Sequence, residues 1–319
     1  MIKIAYLILA HNDPENLKRL IERLNKHQAH FFVHIDRKTD IEKFEKYLIR
    51  YENVQFVEPR YNIYWGGFSI IRAEIALART ALADQKSFDR YVLLSGADYP
   101  IKSVDDIYDY FEQNKEIEFI RGINLEKLEN KELFGSHIDY WQKHDYPLIR
   151  KTNTFFFKAF RALINKILRN FKLSNRIRHG KFDLYHGSQW WALTDNCLRD
   201  LLEIYDQNKQ DYKVFEIMFA PDEKFFHTLF FNSTYSNRNQ IDGPDQPIQM
   251  NKRGEDTSKQ TSQLANIHFL DASMTKWFTI EDYSLLKSSD KLFVRKVSTN
   301  MSESLLDKID KEILNKRTV

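Results

Sequence analysis

The stretch Ala220-Pro221-Asp222-Glu223 holds the residue types of a rigidly supported carboxylate base. Proline has no N–H to lose and a fixed φ, which suits the first position of a helix. The spacing therefore predicts a helix that starts at Pro221 and continues through Lys224-Phe225-Phe226-His227-Thr228-Leu229. Asp222 and Glu223 then fall in its first turn, where the helix dipole favours negative charge. A carboxylate held in this way suits general-base catalysis. The same acids also serve simply to stabilise a helix start, and the tetrapeptide leaves both readings open.

The elements around it follow from hydrophobic periodicity. Strands are predicted over 2–10, 31–35, 54–57, 90–95 and 118–121. Between them, Asp13-Pro14-Glu15 starts a helix with Leu17, Leu20, Ile21 and Leu24 on one face, and Asp40 caps another with Ile41, Phe44 and Leu48. Residues 69–82 form an alanine-rich helix, and Ser103 caps the next. This alternation predicts an α/β fold with a mostly parallel sheet, covered by helices and joined by right-handed crossovers. Ligands of such sheets bind at the carboxyl ends of the strands. That places Ala10-His11-Asn12, Asp36-Arg37-Lys38 and Gly96-Ala97-Asp98 around one crevice. The chain has neither a Gly-x-Gly-x-x-Gly turn nor a Walker lysine loop.

The second half is less regular. Gly187-Ser188-Gln189-Trp190-Trp191 reads as a glycine turn into an aromatic strand, followed by a helix from Asp195. No acid occurs between Asp145 and Asp183, where Arg150, Lys151, Lys158, Arg161 and Lys166 interleave with phenylalanines and aliphatics. This basic amphipathic segment either contacts an anionic membrane surface or packs on the domain with its basic face solvated. The polar interval 232–263 predicts a mobile loop, 267–270 a last strand, Thr279 with Asp282 a capping box, and 302–316 a structural helix.

With 319 residues the chain fits one large α/β domain or two small ones. We expect a single domain, with a nucleotide-binding half over 1–125, an acceptor and catalytic half over 126–300, and a C-terminal helix over 301–319. The net charge of +3 is too small to indicate nucleic-acid binding, and no nucleic-acid partner is expected. Cys197 is the only cysteine, so no intrachain disulfide forms and a reducing compartment is the simplest home. The apolar run at 1–10 is too short to span a bilayer and ends in turn chemistry, as a buried strand does. A cytoplasmic protein is expected, with a peripheral contact at the inner face of the membrane if the basic segment binds it.

Several stretches together resemble the core-2/I-branching β-1,6-N-acetylglucosaminyltransferases, a family that also holds the protein xylosyltransferases. They are His34-Ile35-Asp36-Arg37-Lys38, Trp65-Gly66-Gly67-Phe68-Ser69, Leu94-Ser95-Gly96-Ala97-Asp98-Tyr99-Pro100-Ile101-Lys102 and Gly187-Ser188-Gln189-Trp190-Trp191. Pro221-Asp222-Glu223 and Leu292-Phe293-Val294-Arg295-Lys296 follow in the family's order. The resemblance implies a GT-A-like nucleotide-sugar domain. It implies inverting, metal-independent transfer of a sugar, N-acetylglucosamine in the first instance, from a UDP-sugar to a glycan hydroxyl. No cofactor is implied beyond the UDP-sugar, which is the donor substrate. Glu223 takes the position of the family's base, and Lys296 that of the lysine facing the donor diphosphate. The single cysteine further suggests a bacterial relative that acts on a glycan or lipid-linked glycan acceptor in surface polysaccharide synthesis.

Elementary chemistry agrees with these roles. A single displacement at the anomeric carbon needs a base beside the attacking hydroxyl and positive charge at the departing diphosphate. A metal-using relative would supply that charge through an Asp-x-Asp pair, and here Ser95-Gly96-Ala97-Asp98 offers one carboxylate. Basic side chains then take over. Relatives often carry a diphosphate-binding arginine near the position of His268, and Arg295, Arg253 or Lys252 is its candidate substitute. Asp36 either accepts from the nucleoside or caps a turn, and Arg37 stands beside it. Asp98 orients the donor sugar, ligates a metal in a competing metal-dependent reading, or holds its own loop. Trp65 is a site residue or a core residue. Trp190 and Trp191 point to opposite sides of a strand, one to the core and one to the site as a sugar platform. Ser188, Asp222 and His11 complete the expected substrate contacts. A non-catalytic glycan- or membrane-binding module on the same fold is the remaining alternative.

Overall fold

In the computed structural model the described residues are 2–127, 145, 159, 163, 182–239, 264–271, 273 and 275–314. β1 (Ile4–Ala10) is entirely buried, as its uninterrupted apolar run requires for a strand covered on both faces. It lies between β2 (Ala29–Ile35) and β4 (Arg90–Ser95), parallel to both. β3 (Val54–Phe56) extends the sheet in parallel beside β2, and β8 (Ala192–Thr194) closes the other edge antiparallel to β4. The order is β3-β2-β1-β4-β8, a mainly parallel sheet as the alternation of elements predicts.

The period of two along the strands divides the core. Ile4, Tyr6, Ile8, Phe31 and Val33 pack beneath α1 (Pro14–Leu24), α2 (Glu42–Leu48) and α4 (Val104–Gln113). Ala5, Leu7, Leu9, Phe32 and Leu93 pack against α3 (Ser69–Leu82) and α5 (Asp195–Gln207). Asp13 caps α1 from a left-handed conformation, accepting from Asn16 N–H at 3.0 Å, and Pro14 follows at the first helical position. A second sheet joins β5 (Asp98–Pro100) to β10 (Phe293–Arg295) and β10 to β9 (His268–Leu270). It packs on α9 (Thr299–Ile309) through Tyr99, Phe269 and Val294.

Some expectations are corrected. The strand placed at 118–121 is displaced: Glu118 and Phe119 form isolated bridges, and β6 begins at Gly122 (Gly122–Asn124), paired with β7 (Tyr185–Gly187). Glu118 is committed elsewhere, accepting from the N–H and hydroxyl of Thr194 beside the buried Arg90. The aromatic strand expected through Trp190 and Trp191 is interrupted, with β7 ending at Gly187 and β8 starting at Ala192. Asp40 accepts from Glu42 N–H at 3.2 Å, but the cap position itself belongs to Ile41. The basic stretch 150–178 lies outside the described residues apart from 159 and 163, and so does most of 232–263, Lys252 and Arg253 included.

Candidate active site

The first correction at the site concerns the Pro221–Glu223 turn. Pro221–Glu223 forms a separate 3-10 turn, and α7 (Phe225–Phe231) starts only after a break at Lys224. Asp222 and Glu223 therefore stand ahead of the helix and do not occupy its first turn. The backbone leaves helical geometry on either side of the turn: Ala220 before it is left-handed at φ 46°, and Lys224 after it has φ −137° and ψ −37°. Ala220 N–H donates to the Gly66 carbonyl at 3.1 Å, which joins the turn to the Trp65-Gly66-Gly67 loop. Gly66 has φ 72°, a conformation open to glycine. Gly67 is packed against Asp145, whose carboxylate accepts from Ser69 N–H at 3.0 and 3.2 Å at the start of α3; a Cβ on Gly67 would lie 2.1 Å from it.

A cleft of about 620 Å³ opens at the carboxyl ends of β1, β2 and β4. Among the expected residues, His11, Asp36, Trp65, Ser188, Trp190, Asp222, Glu223, Arg295 and Lys296 line it. A larger hollow of about 920 Å³ lies at the opposite, amino ends of the strands near Lys3, His30 and Lys86, and none of the expected site residues reaches it. Loops at the carboxyl ends are where parallel sheets place ligands, and the motifs converge there.

Burial sets the charge state of Glu223. The Glu223 side chain is 19% exposed, and its pKa is raised to about 7 because burial disfavours the carboxylate. Lys224 opposes that rise and Asp222 adds to it. Asp222 is also raised by burial, with Lys224 and Arg295 opposing. His186 Nδ1, from β7, stands 3.9 Å from Glu223 Oε2. A carboxylate poised near neutrality matches what proton transfer at physiological pH requires.

Positive charge gathers along β10 and the loop after β2. Arg295 donates to Asp98 at 2.8 Å and to Ser95 Oγ, and its guanidinium lies 4.3 Å from the centre of the Trp190 ring. The Arg295–Lys296 peptide is cis. The Lys296 ammonium, half-buried, makes no hydrogen bond or ion pair among the described residues. Its pKa is lowered by burial and by Arg295. Lys38, placed at the crevice by its strand end but given no substrate contact there, reaches the cleft: its ammonium is 3.0 Å from Asp36 and 4.6 Å from the centre of the Tyr64 ring. Asp36 accepts Lys38 N–H at 2.9 Å and Ile63 N–H at 3.4 Å, so it both shapes its turn and faces the cleft.

Other expected contacts are redistributed. Trp191 is fully buried 4.9 Å from the Phe226 ring, so it is core, and Trp190 is the tryptophan that faces the cleft. Arg37 is exposed and absent from the lining, whereas Lys38, also exposed, reaches the cleft rim beside Asp36. Asp98 is fully buried, accepting from Ser95 N–H at 2.8 Å, Ser95 Oγ at 2.9 Å and Arg295, with His268 Nε2 at 3.1 Å. It holds the loop and Arg295, and it does not line the cleft. A divalent cation at Asp98 would have to displace a guanidinium, and no cluster of metal-ligating residues occurs among the described residues. Trp65, for which a core position was the competing reading, is 68% exposed with its ring 5.1 Å from that of Phe219. Gln189 also lines the cleft and donates at 2.6 Å to Glu74, a carboxyl wholly buried under α3. An acid inside the alanine-rich face of that helix is the sequence signal that could have marked it.

Comparison with known proteins follows the same residues. Xylosyltransferase from Ciona intestinalis is 24% identical over 236 residues, covering 73% of this chain and 25% of its own length. Xylosyltransferase 2 from Homo sapiens is 27% identical over 124 residues, 38% of this chain and 14% of its own. Xylosyltransferase sqv-6 from Caenorhabditis elegans is 21% identical over 244 residues, 73% of this chain and 27% of its own. The chain thus spans about a quarter or less of these curated relatives. The family model for the Core-2/I-Branching enzyme matches residues 4–243, from β1 past the Pro221–Glu223 turn, and the chain belongs to that family.

Proposed function

We propose that the protein is an inverting glycosyltransferase that moves a sugar from a UDP-sugar to an acceptor hydroxyl, with Glu223 as the base. The observation that carries this reading is one cleft holding a carboxylate with a pKa near 7 together with the cations Arg295 and Lys296. Glu223 takes the proton of the acceptor hydroxyl as its oxygen bonds to the anomeric carbon. The bond from that carbon to the diphosphate oxygen breaks, and UDP leaves with the electron pair. Lys296 and Arg295 meet the charge that develops there. Arg295 takes the part of the arginine that relatives carry near His268, since both side chains converge on Asp98. Because Asp98 is engaged by Arg295 and His268, these cations stand in for a metal, and turnover does not require one. The family resemblance favours N-acetylglucosamine as the sugar; the names of the relatives make UDP-xylose the competing donor. The acceptor is a glycan or lipid-linked glycan of a bacterial surface polysaccharide. UDP release from UDP-N-acetylglucosamine and UDP-xylose, measured with and without EDTA, tests the reading. Turnover that survives EDTA with inverted product anomer supports it. UDP binding without sugar transfer to any glycan acceptor would leave only a binding module.

A further inference from the structure

The turn that carries the base is closed by a side chain with no expected role. Lys224 is fully buried. After the left-handed Ala220 and the 3-10 turn, its side chain folds back, and Nζ donates to the carbonyls of Phe219 and Ala220, each at 3.1 Å. It thereby clasps the segment holding Asp222 and Glu223. A buried ammonium is costly unless hydrogen bonds and opposite charge accompany it. The two carbonyls use two of its three N–H groups, and the charges acting on it are those of Glu223 and Asp222.

The groups packed around the turn leave this role to Lys224. Glu74 from α3 has its pKa raised well above the carboxylate range by burial, and it accepts from Gln189. His227 from α7 is lowered to about 3, by burial first and then by Lys224 itself. His186 from β7 lies 3.9 Å from Glu223. Arg295 from β10 acts on Asp222 and is bound to Asp98. Among these, Lys224 is the cation built into the turn itself: its ammonium shares the Ala220 carbonyl with the Glu223 N–H, which donates to it at 3.2 Å, and its charge opposes the rise of the Glu223 pKa.

We propose that Lys224 is a positioning residue, whose ammonium locks the Phe219–Glu223 turn and places a counter-charge beside the Glu223 carboxylate. The proposal rests on Glu223 being the base. Without the ammonium, burial acts on Glu223 unopposed, and the base must titrate at more alkaline pH.

The test is the pH dependence of kcat/KM in Lys224→Gln, Lys224→Arg and Glu223→Gln. In Lys224→Gln the amide can still donate to the carbonyls while the charge is gone. Its acid limb should move up by about one to two pH units, the effect of losing a nearby opposite charge. The loss should be roughly ten- to a hundredfold below the limb and shrink as pH rises. Lys224→Arg should keep the wild-type midpoint. An unshifted midpoint in Lys224→Gln, with activity lowered equally at every pH, means that the lysine is merely structural and overturns the proposal. Glu223→Gln separates the two readings. If it is inactive while the Lys224→Gln midpoint is unshifted, only the role of Lys224 falls; if it stays active, the base assignment falls and takes this proposal with it. Should the neutral variant not fold by circular dichroism, the lysine ¹⁵Nζ signals of the wild type decide. The buried ammonium should shift with the midpoint of the acid limb, and a signal that stays constant across it overturns the proposal.

Discussion

At the scale of single residues, function here is a matter of where charge is buried. Glu223 is raised to about 7 chiefly by burial, and only its ionised form can accept a proton. The rate should therefore fall about tenfold per pH unit below neutrality, and kcat/KM profiles between pH 5 and 8 check this. A flat profile over that range would deny the base its role. Lys296 makes the complementary prediction. Its ammonium has no partner among the described residues, and it lines the cleft beside Arg295. Lys296→Ala should weaken UDP binding and lower kcat together, while UMP and uridine lose much less, as calorimetry with the three ligands would show. Equal losses for UDP and uridine would place the lysine away from the β-phosphate.

At the scale of elements, the site depends on docking between distant parts of the chain. Asp310, just past α9, accepts from Arg19 at 2.7 Å, Arg23 at 2.6 Å and the Tyr99 hydroxyl at 2.6 Å. Tyr99 follows Asp98 on β5, the strand paired with β10 and its Arg295. Asp310→Ala leaves the buried Tyr99 hydroxyl, and the half-buried Arg19 and Arg23, without this partner and should cost roughly 1–3 kcal/mol in chemical unfolding. A change within a few tenths would show that the network is only a surface ornament of the last helix. None of this docking was legible in the sequence, since Arg19 and Asp310 are 291 positions apart and look like ordinary solvated charges. The strands and helices of the first hundred residues were legible, because β1 is apolar throughout and α1 carries its own cap and proline. The Pro221–Glu223 turn departs from the predicted helix start for a physical reason. Pro221 starts a helix by its own preference, but the buried Lys224 side chain caps the carbonyls of Phe219 and Ala220, and the helix restarts at Phe225. Trp190 and Trp191 could be separated only by seeing which of them meets Phe226.

At the scale of the whole molecule, the parallel sheet brings loops from both halves of the chain to one end. His11, Asp36 and Gly96 come from the first half, and Ser188, Glu223 and Lys296 from the second. No helix among the described residues is long and apolar enough to cross a membrane. We propose that the acid-free basic stretch between Asp145 and Asp183 brings the enzyme to an anionic surface that holds its acceptor. Co-sedimentation with liposomes should rise with anionic lipid and fall with salt, and equal binding to neutral vesicles would remove the electrostatic argument. The central claim is that one cleft binds a nucleoside diphosphate sugar and that Glu223 activates the acceptor there. The most direct measurement is kcat of Glu223→Gln alongside its UDP affinity. The account predicts UDP binding close to wild type and a kcat lower by roughly two to four orders of magnitude, the cost of losing a positioned base. A variant that keeps half of the wild-type kcat would contradict it.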